Sequence, residues 1–309
     1  MNKPICKSVW HLPILLFAPW LAGCATVPYD RDTLYANPDR ASKGLVVILP
    51  GIEGESNANH DIRQGLYDAK IPYALVIYRW GAPVPGLGML INQSDVARNR
   101  HQAEDMASQL AMYQMEHPGV PIFFAGHSAG GGLAVFILEA LGRIPDAKPI
   151  DGAFLLSSSL SADYDLTDAL RMTRLGLVNV SNIDDDILKK GTAAFGNVDG
   201  GHGDSAGRVG FTRTYPKVFE RPITNEKARR ELGITDIPHF VATHEQLIEK
   251  YAPAWILSDT WPPPGSNTNT PVPLSAKIVD IAAYGRQQCE RSPDMSVKSE
   301  VKDHYARQT

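Results

Sequence analysis

The chain has few cysteines, no concentration of positive charge and none of the common nucleotide or metal motifs. Only three of its 309 residues are cysteine, and its formal net charge is -4. Because neither lysine nor arginine gathers in a long run, the sequence shows no footprint for a phosphate backbone, and no nucleic-acid partner is expected. With 43% hydrophobic and 21% charged residues, the composition is that of an ordinary globular protein.

Metal and cofactor sites have no support in the sequence. The chain has no H-E-x-x-H and no Cys/His spacing typical of a zinc site. It also lacks the G-x-x-x-x-G-K-S/T sequence of a phosphate-binding loop, which argues against a protein that binds phosphate at a glycine-rich turn. We therefore expect a function that needs no metal and no cofactor.

The first 23 residues are predicted to be a signal peptide. Lys3 and Lys7 provide a basic start, and a mostly apolar stretch runs from Val9 to Leu21. This stretch is shorter than the roughly 20 apolar residues that a membrane-spanning helix needs. It is typical of an export signal, which is removed from the mature protein.

The sequence Leu21-Ala22-Gly23-Cys24 resembles the lipobox of bacterial lipoprotein signal peptides. The resemblance implies cleavage before Cys24, acylation of its sulfur and new amino terminus with fatty acids such as palmitate, and a lipid-anchored place in the bacterial cell envelope. A plain secretory signal with an A-x-A-like cleavage site is the alternative. Loss of Cys6 and acylation of Cys24 would leave Cys289 alone, which excludes an intramolecular disulfide.

Composition divides the remaining chain into three parts. Residues 24–43 are polar and are predicted to be a tether to the anchor. Over residues 44–258, short apolar stretches alternate with segments of helical periodicity, which predicts an α/β domain with a mostly parallel sheet covered by helices on both faces. Residues 259–309 start with a proline-rich sequence and are predicted to be a linker and a C-terminal tail.

Gly126-His127-Ser128-Ala129-Gly130 has the G-x-S-x-G pattern of a nucleophilic serine. The apolar residues before it predict a strand, and those after it predict a helix. A sharp turn between the two would strain the serine backbone, and small residues two positions away would let strand and helix approach closely. The pattern predicts Ser128 as a nucleophile, with a merely tight turn as the alternative.

A second copy of the pattern surrounds Ser205. It follows the loop-like sequence Asp199-Gly200-Gly201-His202 and has no apolar strand ahead of it. We therefore predict a glycine-rich loop there and no nucleophile.

The context of Ser128 resembles the α/β-hydrolase superfamily over about residues 45–257. In that family two backbone N–H groups stabilise the oxyanion, one from the residue after the nucleophile and one from the loop after an early strand. The resemblance implies Ala129 and Ile52 as these donors, because Pro50-Gly51-Ile52-Glu53-Gly54 follows an apolar stretch. Pro50 departs from the histidine that many lipases and esterases carry, and an ordinary Pro-Gly turn is the alternative.

A nucleophilic serine needs a histidine to take its proton and a carboxylate to orient that histidine. In the α/β-hydrolase order, the acid ends a strand after the serine and precedes the histidine. Asp184, Asp185 and Asp186 follow a predicted strand, and the spacing implied by the resemblance favours Asp184. The alternative for each aspartate is a helix N-cap or a first-turn acid.

His239 is the predicted base, because the sequence around it resembles the histidine loop before the terminal helix of exported α/β-hydrolases. His202 is the main alternative, although only 18 positions separate it from Asp184, and a crossover helix and strand need about a dozen residues or more. His244 is a third candidate. His127, inside the elbow, is predicted to shape the turn.

These observations predict an exported, lipid-anchored serine hydrolase of the esterase or lipase kind. Ser128 would attack a small-molecule or lipid acyl substrate, His239 would carry the proton, and Asp184 would orient His239. An acyl-enzyme intermediate follows from that chemistry. A non-catalytic lipoprotein that keeps the fold as a binding module is the alternative, because a fold alone does not define a function.

Overall fold

Six parallel strands form the sheet in a computed structural model, which describes residues 33–81 and 87–266. The strands are β1 (Leu45–Leu49), β2 (Ala74–Ile77), β3 (Ile122–His127), β4 (Ile150–Leu156), β5 (Thr173–Ser181) and β6 (Val218–Pro222). Their spatial order is β2-β1-β3-β4-β5-β6, and every neighbouring pair is parallel.

Helices connect the strands. They are α1 (Pro38–Ala41), α2 (Asn57–Asp68), α3 (Leu87–Ser94), α4 (Val96–Glu116), α5 (Ala129–Leu141), α6 (Thr167–Arg171), α7 (Asp186–Phe195), α8 (Ala206–Val209), α9 (Asn225–Leu232) and α10 (Glu245–Ile256), with a 3-10 helix at Pro238–Thr243. Among the described helices, none is long and apolar enough to cross a membrane.

Helices cover both faces of the sheet, because its inner strands are apolar on both faces. Val47 and Phe124 lie in a core cluster with α4, α5 and α6, whereas the adjacent Val46 and Phe123 lie in a second cluster with α2 and α10. Strands buried in this way are typical of parallel sheets flanked by helices. The predicted fold class is confirmed.

The predicted tether extends too far into the domain. Arg40 donates from Nε to the carbonyl of Tyr73 at 2.9 Å and from Nη2 to that of Ile71 at 2.6 Å. Ala41 is fully buried, and its carbonyl accepts a hydrogen bond from the Tyr113 hydroxyl at 2.8 Å. Residues 33–43 therefore pack on the domain, while residues 1–32, with the predicted signal peptide and Cys24, lie outside the described part.

The predicted proline-rich linker also begins too early. The ring of Trp261 lies against those of Phe154 and Trp255, with centroids 5.5 Å and 5.2 Å away, and its Nε1 donates to the Trp255 carbonyl at 2.8 Å. Because these contacts extend one core cluster, the domain continues past residue 258 at least to Trp261. Residues 267–309, with most of the predicted tail and Cys289, lie outside the described part.

Candidate active site

Ser128 occupies a sharp turn between β3 and α5. Its φ of 53° and ψ of -121° lie in a backbone region that non-glycine residues rarely adopt. Its N–H donates to the Leu156 carbonyl and its own carbonyl accepts from the N–H of Ser159, both at 3.0 Å, so β4 and the segment after it hold the strained residue in place. This geometry is that of a nucleophile elbow.

Two glycines make this elbow possible. A Cβ on Gly126 would collide with the carbonyl of Gly130, and a Cβ on Gly130 would collide with the carbonyls of Leu49 and Pro50. The collisions involve backbone atoms, which side-chain movement cannot relieve. The small residues of the motif therefore let the start of α5 pack against the end of β1, beside the loop that follows it.

His239 pairs with Asp185, which corrects the prediction of Asp184. The Nδ1 atom of His239 lies 2.7 Å from Oδ2 of Asp185, and both side chains are buried. The other carboxylate oxygen, Oδ1, accepts from the N–H of Leu188 at 2.9 Å and caps α7. Asp184 is exposed, and its N–H donates to the side chain of Asn182.

Asn182 and His127 hold the His239 segment beside the elbow. The side-chain amide of Asn182 donates to the Pro238 carbonyl at 3.0 Å, immediately before His239. The His127 ring centroid lies 4.7 Å from that of His239, and Nε2 of His127 lies 3.3 Å from the His239 carbonyl oxygen. The His239 ring therefore packs against the residue that immediately precedes the strained serine.

The serine and histidine side chains make no hydrogen bond with each other in the described structure. Such bonds are often long in unliganded enzymes and tighten when substrate binds. Since Nδ1 of His239 faces the Asp185 carboxylate, the hydrogen-bonded tautomer leaves Nε2 as the acceptor for a serine proton.

The two residues predicted as oxyanion donors lie on the two segments that meet at the elbow. Ala129 is the first residue of α5, so its N–H has no carbonyl partner within the helix. Ile52 lies in the loop after β1, and its N–H makes no hydrogen bond to any residue in the described ranges. Neither N–H therefore has a backbone acceptor among the described residues.

Glu53 is a site residue that the sequence did not reveal. Its Oε1 lies 3.6 Å from Nδ1 of the fully buried His127, within ion-pair range but too far for a hydrogen bond. Burial lowers the pKa of His127, and Glu53 partly offsets that effect. Burial acts to raise the pKa of Glu53, but the nearby imidazole and hydrogen bonds outweigh it and lower the pKa.

The alternative candidates for the base, His202 and His244, and the serine of the second G-x-S-x-G, Ser205, lie in environments unlike those of His239 and Ser128. His202 is exposed beside Gly196, whereas Nδ1 of His244 accepts a hydrogen bond from the N–H of Gln246 at the start of α10. Ser205 is buried at the start of the short helix α8, with an ordinary φ of -91°. The second G-x-S-x-G therefore forms a helix start rather than the predicted loop, and its serine is unstrained.

Among the described residues, no group of three or more His, Cys, Asp or Glu side chains is arranged so that it could hold a metal ion.

A cavity of about 550 Å³ lies between β4–β6 and α10, and Phe154, Trp255 and Tyr251 are among its lining residues. Ser128, Asp185, His239 and Ile52 do not line it. We therefore do not assign this cavity to the substrate.

Among known proteins, this chain is similar only at low sequence identity to the solved structures described below. No protein-family model matches the chain, and no curated protein does. An uncharacterized protein from Bacillus cereus is 14% identical over 62% of this chain and 55% of its own, with a TM-score of 0.40. The RedJ thioesterase of the prodiginine pathway in Streptomyces coelicolor is 18% identical over 61% and 81%, with a TM-score of 0.37. A cutinase-like protein from Cryptococcus sp. is 13% identical over 71% and 96%, with a TM-score of 0.38. Likenesses at this level assign neither activity nor substrate.

The strand order, the elbow after β3 and the later Asp185–His239 pair give the chain an α/β-hydrolase fold.

Proposed function

We propose that the protein is a serine hydrolase that cleaves an ester or related acyl compound through an acyl-enzyme intermediate. The observation that carries this proposal is the strained Ser128 directly after His127, whose ring packs on the His239 ring of a buried Asp185–His239 pair. A backbone in such a rarely populated region is costly, and strain of this kind is concentrated at functional sites. A serine hydroxyl needs a base to take its proton, and a histidine oriented by a buried carboxylate can be that base.

The proposed reaction follows the roles of a Ser-His-Asp triad. Ser128 Oγ forms a bond to the substrate carbonyl carbon while its proton passes to Nε2 of His239. Asp185 stabilises the resulting imidazolium, and the N–H groups of Ile52 and Ala129 stabilise the oxyanion. His239 then passes that proton to the departing alcohol, thiol or amine as the bond between this group and the carbonyl carbon breaks, which leaves the acyl group on Ser128. Water then attacks the acyl carbon and gives a proton to His239. His239 returns the proton to Ser128 Oγ as the acyl–Oγ bond breaks and the acid is released.

Labelling with a fluorophosphonate tests this proposal without knowledge of the substrate. We expect the folded protein to gain one phosphonyl group, observed by mass spectrometry, and to release product from an activated ester in a rapid burst before steady turnover. Heat-denatured protein is the control, because labelling by an activated serine requires the folded site. A folded protein that takes no label and shows no burst would instead be the non-catalytic binding module.

We also propose that the mature protein begins at an acylated Cys24 and is anchored to a membrane of the bacterial cell envelope. The support is the sequence Leu21-Ala22-Gly23-Cys24 after a basic and apolar start. Two or more acyl chains give a stable membrane anchor, whereas one chain holds a protein only weakly.

Replacing the proposed acylated cysteine tests this anchor. We expect Cys24→Ser to abolish incorporation of labelled fatty acid in a bacterial host and to prevent release of the signal peptide at that site. Cys289→Ser is the matched control and should leave both properties unchanged. An unmodified mature N-terminus at Ala25 or beyond in the wild-type protein would show a plain secretory signal instead.

A further inference from the structure

Three consecutive backbone carbonyls in the loop after β1 each accept a hydrogen bond. Nε1 of the buried Trp80 donates to the Pro50 carbonyl at 2.8 Å. The N–H of Gly54 donates to the Gly51 carbonyl at 3.1 Å, closing a turn. The side-chain amide of Asn92, on α3, donates to the Ile52 carbonyl at 2.9 Å.

These bonds constrain the N–H of Ile52, which the proposed function assigns to the oxyanion. Gly51 C=O and Ile52 N–H belong to one planar trans peptide group, so they point in opposite directions. Fixing the Gly51 carbonyl therefore fixes the direction of the Ile52 N–H. The hydrogen bonds from Trp80 and Asn92 hold the two neighbouring peptide groups, Pro50–Gly51 and Ile52–Glu53. The Gly51–Ile52 peptide group therefore cannot rotate together with them.

A third side-chain contact ties the loop to the rest of the site. Glu53 faces Nδ1 of His127, whose other ring nitrogen contacts the carbonyl of His239. The loop that supplies one oxyanion donor is thus linked through one buried imidazole to the segment that supplies the base.

We infer that Trp80 and Asn92 are positioning residues that preorganise the oxyanion loop. The inference rests on the proposed serine hydrolase function. Neither side chain acts on the substrate. Each holds a carbonyl of the loop, so that the N–H of Ile52 is directed at the reacting oxygen before the substrate arrives. Donors held in this way stabilise a developing charge without reorganisation at the moment of reaction.

Kinetics of Trp80→Phe and Asn92→Ala test the inference, because each change removes one donor to the loop. We expect kcat to fall about tenfold in each, less than the roughly hundredfold cost of deleting an oxyanion donor outright, with little change in KM. The decisive readout is a matched pair of substrates, an activated ester and its thionoester. Sulfur accepts hydrogen bonds weakly, so the preference for oxygen over sulfur should shrink in both variants.

Tyr113→Phe is the matched control, since it also removes a buried hydrogen bond to a backbone carbonyl, that of Ala41. Ala41 precedes the amino end of β1, whereas the Ile52 loop follows the carboxyl end of that strand. The Tyr113→Phe protein should prefer the ester over the thionoester as strongly as the wild type does, even if its thermal stability is lower. Trp80→Phe removes the Nε1 donor but keeps an aromatic ring at this position. Its kinetics decide between the outcomes if thermal melting shows that Asn92→Ala is unfolded.

An unchanged oxygen preference in Trp80→Phe, or an equal decrease in Tyr113→Phe, would overturn the inference while leaving the proposed function intact. Failure of the proposed function is a separate outcome, since the wild-type protein would then neither take up fluorophosphonate nor hydrolyse either ester.

Discussion

Ser128→Ala is expected to abolish both fluorophosphonate labelling and ester hydrolysis while the protein remains folded. Only the hydroxyl group is lost, and alanine leaves the close contacts of Gly126 and Gly130 unchanged. Loss of a triad serine costs on the order of a million-fold in kcat. A residual rate about a thousandfold above the uncatalysed reaction can survive, because the oxyanion donors remain. Mass spectrometry and activity on an activated ester measure the two effects.

Ser205→Ala is the matched control, because Ser205 occupies the same position in the second G-x-S-x-G. It starts α8 with an unstrained backbone and is 1% exposed. We expect the Ser205→Ala protein to take up fluorophosphonate and to hydrolyse the activated ester like the wild type. If Ser128→Ala were labelled as fully as the wild type, Ser128 would not be the nucleophile.

The sheet could be predicted because its inner strands are short apolar stretches bounded by turns and helices. β6 could not, since Val218–Pro222 contains charged residues and is only partly buried at the edge of the sheet. The two ends of the domain were misplaced for a related reason. Polar Arg40 and the proline-flanked Trp261 do not resemble core residues, yet both pack through contacts with residues far away in the chain.

The elbow was the most predictable part of the site, because its strain comes from local sequence: a serine between small residues, after a strand and before a helix. The base and acid depend on how distant segments meet. For an aspartate, helix capping and a catalytic role are not alternatives, because a carboxylate has two oxygens. Asp185 uses one oxygen to cap α7 and the other to bind His239.

Glu53 and Asn92 show a different limit of sequence reasoning. No motif assigns a role to either side chain: Glu53 stands in the predicted oxyanion loop, where only the backbone N–H of Ile52 had a role, and Asn92 belongs to no motif. Their importance appears only when the loop after β1 is seen against β3 and α3, where they contact His127 and the Ile52 carbonyl.

Histidine substitutions separate the base from its rivals. We expect His239→Ala to be as inactive as Ser128→Ala, because the triad acts as a unit and losing either member costs on the order of a million-fold. His202→Ala removes an exposed side chain and His244→Ala removes a helix cap, so both should retain turnover. Inactivity of His202→Ala together with activity of His239→Ala would move the base to the glycine-rich loop.

Asp185→Asn should lower kcat about ten-thousandfold, because an amide in place of the carboxylate favours the wrong tautomer of His239. Asparagine is as good a helix N-cap as aspartate, so α7 should persist and the loss should not come from unfolding. Asp184→Asn makes the same chemical change one residue earlier on an exposed side chain, and it should keep nearly full activity. Steady-state kinetics with thermal melting of both variants distinguish the two aspartates. An inactive Asp184→Asn beside an active Asp185→Asn would restore Asp184 as the triad acid and make the buried Asp185–His239 pair a structural one.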